Sequence, residues 1–524
     1  MLCPQGWQDR AQGFHSIVVI LTSACVLLAS CIEGNREVSE AEQSAFGTFV
    51  NALDTSQMRE CLEHILWADS SRLESDKTVK QWYLDHQHAE VAALWHSRMG
   101  VSSDADSLLS FLSAELPRNG LDTKAFFISE IAEDLDIIHS LAFDSLGVSI
   151  NEILPRLDYN LSKAYVRYVA GQRYGFIRPA KLLNRMDIKA NNEGYARLFD
   201  YDIKAPDYQE SMKQLTSDER MRYLLTSKPE THVYKVLQNQ LEKTKDKDAR
   251  HKLAVNMERC RWQIKQPGEH ERMVLVNIAA QQLWAVCPDS VLNMRICCGA
   301  TTNKTPLLNS QISYMQVNPE WIIPHNIVKT DISHHSGDSA YFARHHYYIV
   351  DRSTNDTLNP VEVTSTQMLS GTLRIGQKGG AGNSLGRIVF RFPNNFSVYL
   401  HDTNNRGAFS RERRTLSHGC VRVEKPFELA CFLLPEADDW TKDKLRLSMD
   451  IRPETERGII YKREHAEDPR PFRLISYHDV TPRVPVYIIY FTAYPSPETG
   501  TVETWPDLYG YDQLISREMK LFLP

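Results

Sequence analysis

The sequence predicts an α+β protein whose N-terminal half is helical and whose C-terminal half is built mostly of β-strands. Its 524 residues suffice for about two to four domains. Over 46–268, apolar residues recur at helical spacings of three and four, as between Leu108 and Leu112. Beyond that segment, runs rich in β-branched residues such as Met273–Ala280 favour strands. We therefore expect a helical scaffold domain over 46–268 and a β-rich domain over 269–524.

Composition and charge exclude several classes of protein. The chain is 42% hydrophobic and 24% charged, which is typical of a globular protein and excludes a disordered or collagen-like chain. The formal net charge of −6 gives no basic excess, so we expect no nucleic-acid partner. The sequence contains neither a dinucleotide-binding fingerprint nor a phosphate-binding loop, and no nucleotide cofactor is expected.

The N-terminus resembles the signal peptide of a bacterial lipoprotein. Ser16–Leu28 is an apolar stretch followed by small residues and Cys31, and it is shorter than the roughly 20 residues of a spanning helix. The resemblance implies that 1–30 is a signal peptide, that Cys31 is lipidated and that 31–45 is a polar tether. We therefore expect a periplasmic protein anchored by lipid, and the lack of Asp after the cysteine favours the outer membrane. A buried helix with an incidental cysteine is the alternative.

One stretch of the helical half is predicted in more detail. Apolar residues between Val233 and Leu241, and again between Leu253 and Met257, indicate a helix from about 228 to 262. The charged run 243–250 is the point at which this helix can break into two. We interpret the helices of this half as scaffold.

The cysteines support no metal site. Ten are present, and seven remain when the signal region and Cys31 are removed. No CxxC pair or Cys/His zinc spacing occurs, so we expect no metal and no other cofactor. An exported chain permits disulfides, but the sequence does not supply a pairing and none is assigned.

The residues that indicate chemistry lie around Ser417-His418-Gly419-Cys420. A cysteine is a strong nucleophile only as the thiolate, so acyl transfer requires a neighbouring base or cation. Histidine is the natural base, and a glycine before the sulfur lets successive N–H groups approach an oxyanion. Arg422 and the other arginines of the segment favour a thiolate and an anionic substrate. Taken alone, the tripeptide His-Gly-Cys favours a buried structural cysteine in a turn, with a histidine nearby by chance.

The wider pattern resembles the L,D-transpeptidase (YkuD-type) catalytic domain. A strand ending in His401-Asp402 lies nineteen residues before Cys420, inside Ser-His-Gly-Cys-Val-Arg-Val. Tyr314–Trp321, the glycine-containing segment 382–386 and Pro485–Tyr490 are similar to the large YcbB-like branch of that family. By position, about 329–375 corresponds to a capping insertion over the active site. Its four histidines, interpreted as solvated surface, are His334, His335, His345 and His346.

The resemblance implies a role for each residue of the motif. Cys420 would be the nucleophile and His401 the base, with the backbone carbonyl of Asp402 orienting the imidazole. His418 is the less favoured base, and the N–H groups of His418, Gly419 and Cys420 would form the oxyanion hole. The residues that we assign to substrate binding are Arg422, Tyr399 and Ser417.

The implied reaction is an acyl transfer on peptidoglycan tetrapeptide stems. The cysteine would release terminal D-Ala and form a thioester, which the amine of a second stem resolves into a 3→3 cross-link. An L,D-carboxypeptidase or exchange enzyme, and a non-catalytic cell-wall scaffold lipoprotein, are the alternatives. Between 150 and 250 we find no counterpart of the family's peptidoglycan-binding module, and protein partners are not predicted.

Overall fold

The computed structural model describes residues 47, 49–86, 93–142, 146–184, 197–264, 272–467 and 473–524. The predicted signal peptide 1–30, the lipidation site Cys31 and the tether 31–45 lie outside these residues.

Helices occur throughout the described chain, and they dominate its N-terminal half. In chain order they are α1 Thr55–Ala68, α2 Glu74–His86, α3 Ser103–Arg118, α4 Ile128–Ser140, α5 Ile150–Tyr174, α6 Pro179–Leu183, α7 Tyr208–Leu215, α8 Arg220–Leu225, α9 His232–Lys243, α10 Lys247–Arg261, α11 His325–Ile327, α12 Ser339–Arg344, α13 Ser365–Leu369, α14 Pro426–Leu433, α15 Asp439–Ser448, α16 Glu456–Glu464 and α17 Tyr511–Glu518.

Strands also occur throughout the described chain, and they dominate from residue 273 onwards. In chain order they are β1 His96–Ser97, β2 Gly100–Val101, β3 Phe199–Asp200, β4 Met273–Asn277, β5 Gln282–Cys287, β6 Ser290–Gly299, β7 Leu307–Val317, β8 Trp321–Ile322, β9 Tyr347–Asp351, β10 Thr357–Leu358, β11 Leu373–Gln377, β12 Ile388–Arg391, β13 Leu400–His401, β14 Thr415–Ser417, β15 Val421–Val423, β16 Tyr477–Ile489, β17 Ala493–Pro495 and β18 Val502–Thr504. Helices followed by a β-rich region confirm the predicted α+β fold class.

The helix predicted over about 228–262 is broken at the charged run, as expected. It consists of α9 and α10, and each begins at a side chain that caps its first turn. Thr231 accepts a hydrogen bond from the N–H of Tyr234, and Asp246 accepts one from the N–H of Ala249 at 2.8 Å. The Asp246 cap restarts the helix inside the charged run.

One compact unit comprises the described residues up to 178, together with 203–264 and 512–524. Its central element is α5, which is buried along most of its length and packs against α1, α2, α4 and α7. The Asp158 carboxylate of α5 accepts hydrogen bonds from the hydroxyl of Tyr83 and, at 2.7 Å, from the N–H of Trp95. These bonds satisfy a buried charge inside the helical core.

The second compact unit comprises 179–202 and 265–511, of which the structure describes 179–184, 197–202, 272–467 and 473–511. Its main sheet runs in the order β12-β13-β15-β6-β5-β4-β16-β7-β3, with β14 beside β6. A further pairing of β12 with β7 closes eight of these strands into a ring. In this ring β12 pairs with β7 and β15 pairs with β6, although the strands of each pair are distant in sequence.

A second sheet of four strands, in the order β10-β9-β11-β8, forms with α11, α12 and α13 a layer that we call the cap, 321–377. A π-helical turn, Val328–Ile332, follows α11. The cap has its own apolar core, which includes Ile332, Phe342 and Ile349.

No helix in the described part of the chain is both long and apolar enough to cross a membrane. The seven cysteines that the structure describes are all free thiols. Within the same residues, no group of three or more His, Cys, Asp or Glu side chains is placed to hold a metal ion.

Candidate active site

Three neighbouring strands bring the predicted catalytic residues to one cavity. β13 pairs with β12 on one side and β15 on the other, so that His401 lies opposite both Val389 and Arg422. Residues opposite one another, or two positions apart on a strand, share a face of the sheet. That face lines a cavity of about 530 Å³ whose walls include Tyr399, His401 and Cys420.

The imidazole of His401 is buried and is oriented by the next residue. Its Nδ1 lies 2.5 Å from the backbone carbonyl oxygen of Asp402, which can only accept a hydrogen bond. Nδ1 therefore carries the ring proton, and Nε2 is the nitrogen that can take one. Burial, with the charges of Arg422 and Arg391, lowers the pKa of His401 to about 3. The backbone groups of Asp402 and Leu385 act in the opposite direction and raise this pKa. The ring is neutral near pH 7 and able to accept a proton.

The Asp402 side chain holds in place the carbonyl that orients the imidazole. Its carboxylate accepts hydrogen bonds from the backbone N–H of Arg387 at 2.8 Å and from Nη1 of Arg406 at 2.9 Å. Gly386 packs directly on this carboxylate with a φ of +65°, and a Cβ at that position would overlap it. The glycine-containing loop thus fixes the position of Asp402 and, through it, of His401.

The turn before Cys420 is shaped by Ser417. The Ser417 hydroxyl donates to the carbonyl oxygen of Cys420 at 2.5 Å and accepts from the N–H of Gly419 at 3.1 Å. Gly419 has a φ of +120°, which favours glycine, and its carbonyl accepts from the Thr305 hydroxyl at 2.8 Å. Ser417, which the resemblance assigned to substrate, uses its hydroxyl within this turn.

The predicted oxyanion donors differ in their availability. The N–H of Gly419 is already bonded to Ser417, whereas those of His418 and Cys420 have no hydrogen-bond acceptor among the described residues. The bend at 418–420 therefore leaves two N–H donors beside the sulfur that can bind the carbonyl oxygen of a substrate.

The sulfur of Cys420 is held as a thiol, and not as the thiolate that the nearby arginines predict, because burial outweighs their charge. Sγ lies 3.9 Å from the carbonyl oxygen of Ser397 and interacts with the Tyr399 hydroxyl, which also interacts with the side chain of Trp321. Burial raises the pKa of Cys420, although the charge of Arg391 acts in the opposite direction.

No hydrogen bond joins Sγ of Cys420 to the imidazole of His401 among the described residues. Both groups line the same cavity, so proton transfer requires them to approach each other when a substrate is bound.

His418 is directed to the cap. Its Nε2 lies 3.6 Å from Oδ2 of Asp331, in the π-helical turn Val328–Ile332. The structure therefore pairs His418 with a cap carboxylate, while His401 is the histidine held by a backbone carbonyl.

Sequence reasoning missed two contributors to this cavity, Arg391 and a role for Trp321. The Arg391 guanidinium stacks over the Tyr399 ring at 4.2 Å, and Trp321 reaches the Tyr399 hydroxyl from β8 of the cap. The available signal for Arg391 was a charged residue two positions after the apolar Val389, inside the region predicted to be β-rich. Trp321 ends the segment Tyr314–Trp321, whose only predicted feature is its similarity to the YcbB-like branch.

Comparison with known proteins identifies the class of the β-rich half. Residues 271–442 match the YkuD family, the L,D-transpeptidase catalytic domain, and residues 77–241 match the family described as the Scaffold domain. The chain therefore contains a YkuD-type L,D-transpeptidase catalytic domain preceded by a scaffold domain. It is similar to a putative L,D-transpeptidase of Haemophilus influenzae, with 26% identity over 517 residues that cover 94% of each chain.

Proposed function

We propose that the protein is an L,D-transpeptidase that forms 3→3 cross-links in peptidoglycan through a thioester on Cys420. One observation carries the proposal. A neutral imidazole, held at Nδ1 by the Asp402 carbonyl, lines the same cavity as the Cys420 thiol. The YkuD domain implies this class of acyl transfer, and the family acts on peptidoglycan stems.

The first half-reaction makes the acyl-enzyme. Sγ of Cys420 attacks the carbonyl carbon at the L-centre of the stem's diamino acid, and Nε2 of His401 takes the thiol proton. The N–H groups of His418 and Cys420 stabilise the negative oxygen. The C–N bond then breaks, the proton passes to the leaving nitrogen, and D-Ala departs.

The second half-reaction regenerates the thiol. The side-chain amine of a second stem attacks the thioester carbonyl, His401 accepts the amine proton, and the C–S bond breaks with return of a proton to sulfur. Water as acceptor gives trimmed stems instead, and a free D-amino acid gives exchange. The cavity is open to any of these acceptors, so product analysis must separate them.

We further propose that the protein acts in the periplasm, anchored by lipid on Cys31 to the outer membrane. The apolar segment and the small residues before Cys31 support this proposal. Metabolic labelling with a fatty acid should mark the wild-type protein but not Cys31→Ser, and membrane fractionation should recover the label with the outer membrane. Equal labelling of both proteins would refute lipidation at this site.

The acyl-enzyme is tested by mass spectrometry of the intact protein. A carbapenem should add its mass once to the wild-type protein and not to Cys420→Ala. Cys431 is a second partly exposed free thiol, so Cys431→Ala is the matched control and should acylate normally. Acylation of Cys420→Ala would exclude Cys420 as the nucleophile.

Products formed from purified disaccharide tetrapeptides separate the candidate functions. Dimers linked 3→3 with release of D-Ala are expected from the wild-type protein. Trimmed monomers without dimers would favour a carboxypeptidase. No product from a protein that a carbapenem does not modify would favour a non-catalytic scaffold.

A further inference from the structure

Two guanidinium groups line the active-site cavity without an acidic partner. Arg391 ends β12, and Arg422 is the central residue of β15. Nε of each is buried with no hydrogen-bond partner, and neither side chain forms an ion pair within the described residues. A buried donor or charge that is left unpaired costs free energy. The two side chains therefore lack acceptors that a ligand can supply.

The strand register directs both arginines to the reacting groups. Arg422 lies opposite His401 and two positions after Cys420. Arg391 lies two positions after the β12 residue that faces His401, and its guanidinium is 4.2 Å from the centre of the Tyr399 ring. Both charges act on the thiol and on the imidazole, which places them within electrostatic reach of the site of reaction.

Nearby cations are paired, in contrast to these two. Arg406 is bonded to the Asp402 carboxylate, and the guanidinium of Arg414 donates to backbone carbonyl oxygens. The acidic residue among those lining the cavity, Glu320, accepts a hydrogen bond from the hydroxyl of Tyr348 at 3.3 Å. The cavity consequently carries an excess of positive charge beside the sulfur.

We propose that Arg391 and Arg422 form a carboxylate-binding subsite that positions the donor stem peptide at Cys420. This inference rests on the proposed function, because it takes the stem as substrate. A guanidinium matches the planar geometry of a carboxylate, and two of them around one anion restrict its orientation. Two carboxylates flank the scissile amide of a stem, that of the terminal D-Ala and, when the diamino acid is diaminopimelate, that of its side chain.

The anion site can be tested without any stem peptide by two alkylating reagents that differ in charge. Iodoacetate is an anion and iodoacetamide is its neutral counterpart, and the same thiolate attacks the carbon of each and displaces iodide. The ratio of their rates at Cys420 therefore cancels differences in thiolate fraction and reports the local charge. We expect this ratio to fall by about tenfold in Arg391→Gln and in Arg422→Gln, since each removes a charged contact to the reagent.

Two controls show that the change is local. Arg374→Gln is the matched variant, because Arg374 also has a buried Nε without a partner but does not line the cavity. Its ratio should equal that of the wild type, as should the ratio at Cys287 in every variant. Arg391→Lys and Arg422→Lys, which keep the charge, should retain most of the preference for iodoacetate. An unchanged ratio in the two Gln variants, or an equal fall in Arg374→Gln, would overturn the subsite.

Binding of stem peptides to the Cys420→Ala protein, followed by calorimetry, then identifies the carboxylate. The tetrapeptide is compared with its C-terminal amide and with a peptide that has lysine in place of diaminopimelate. The analogue that lacks the bound carboxylate should bind about tenfold more weakly and become insensitive to Arg391→Gln and Arg422→Gln. Equal sensitivity of all three peptides to the two Gln substitutions would show that the anion site binds neither carboxylate of the stem, and would overturn the inference. If the iodoacetate preference is lost as expected but no stem acylates the wild-type protein, the proposed function fails and the anion site stands.

Discussion

The resting active site holds a neutral thiol and a neutral imidazole rather than an ion pair. Burial raises the pKa of Cys420 and, with the two nearby arginines, lowers that of His401 to about 3. A proton leaves sulfur only with difficulty unless the carbonyl of a substrate is accepting the electron pair at the same time. General-base catalysis at the moment of attack therefore suits this geometry better than a preformed thiolate.

His401→Gln should separate these two modes of reaction. We expect acylation by a carbapenem at pH 7 to fall about 10²- to 10⁴-fold, because the proton acceptor is lost. Alkylation by iodoacetamide well above the thiol pKa should change little, because it uses thiolate that forms without the base. An equal loss in both reactions would indicate disruption of the site, and unchanged acylation would exclude His401 as the base.

Asp402 positions the base, and its two hydrogen bonds differ in importance. Asp402→Ala should reduce acylation by about tenfold or more, because the carbonyl that orients His401 loses its anchor. Arg406→Ala should have a small effect, since the Arg406 side chain is 56% exposed and a solvated ion pair contributes about 0–1 kcal/mol. Acylation rates of the two purified variants check this order. An Arg406→Ala defect as large as that of Asp402→Ala would contradict it.

The sequence was sufficient to predict that Cys420 and His401 lie at one site, but not the groups that surround them. Cys420 and His401 follow from a motif with a fixed order and spacing, whose chemistry is local to each residue. Arg391 contributes only because pairing with β13 places β12 beside His401, and Trp321 only because the cap places β8 near Tyr399. Such contacts depend on the register in which strands pair and on the packing of the cap, which a single sequence does not encode locally.

At the scale of elements, the loop before β12 connects the fold to the catalytic geometry. Asn383 donates to the carbonyl oxygen of Lys378 at 2.9 Å and accepts from the N–H of Leu385 at 2.8 Å, which closes the loop on itself. Gly386 then allows the chain to pass against Asp402. The glycine-containing segment 382–386 therefore supports the predicted base through hydrogen bonds and close packing.

Gly386→Ala should damage this support. The new Cβ overlaps the Asp402 carboxylate. The alanine must also adopt a φ of +65°, which is strained for any residue with a side chain. We expect a loss of stability of about 1–3 kcal/mol together with slower acylation. Gly407→Ala is the control, because its nearest neighbour would be at 3.8 Å. Thermal unfolding and carbapenem acylation measure the two effects, and wild-type behaviour of Gly386→Ala would refute the role given to this loop.

The cap contributes to the site through two contacts of different kinds. The side chain of Trp321 interacts with the Tyr399 hydroxyl beside the sulfur, whereas Asp331 approaches the exposed ring of His418 at 3.6 Å. The first contact lies inside the cavity and fixes a wall, and the second lies at its exposed rim. The cap is thus part of the active site rather than a separate covering layer.

For the whole molecule, the order of helical and β-rich parts follows from periodicity, but the compact units are not simple halves of the chain. Residues 179–202 associate with the β-rich unit, where β3 pairs in parallel with the start of β7, and 512–524 associate with the helical unit. In the helical unit, the Asp122 N–H donates to the carbonyl of Phe522 at 2.9 Å. Periodicity indicates local structure only, so it does not predict that a segment joins the compact unit formed by another part of the chain.

The stability of the molecule should depend on pH through its buried histidines. Burial lowers the pKa of His401 to about 3 and also lowers that of His96, whereas an unfolded histidine titrates at about 6.5. Above that pH both states are neutral and the groups have no effect. As the pH falls below about 6.5, the unfolded chain binds protons that the folded chain does not, and stability falls by up to about 1.4 kcal/mol per pH unit for each group.

Single variants isolate this effect from other titrations. Burial raises the pKa of Glu258 to about 7, which acts over the same range with the opposite sign, so the wild-type curve alone is not diagnostic. Between pH 7.5 and 5.5, His401→Gln should flatten the fall of the unfolding midpoint in the β-rich unit, and His96→Gln should do so in the helical unit. The exposed His334 is the control, and His334→Gln should keep the wild-type dependence. A His401→Gln protein that loses stability toward pH 5.5 as steeply as the wild type would show that folding does not lower the pKa of His401.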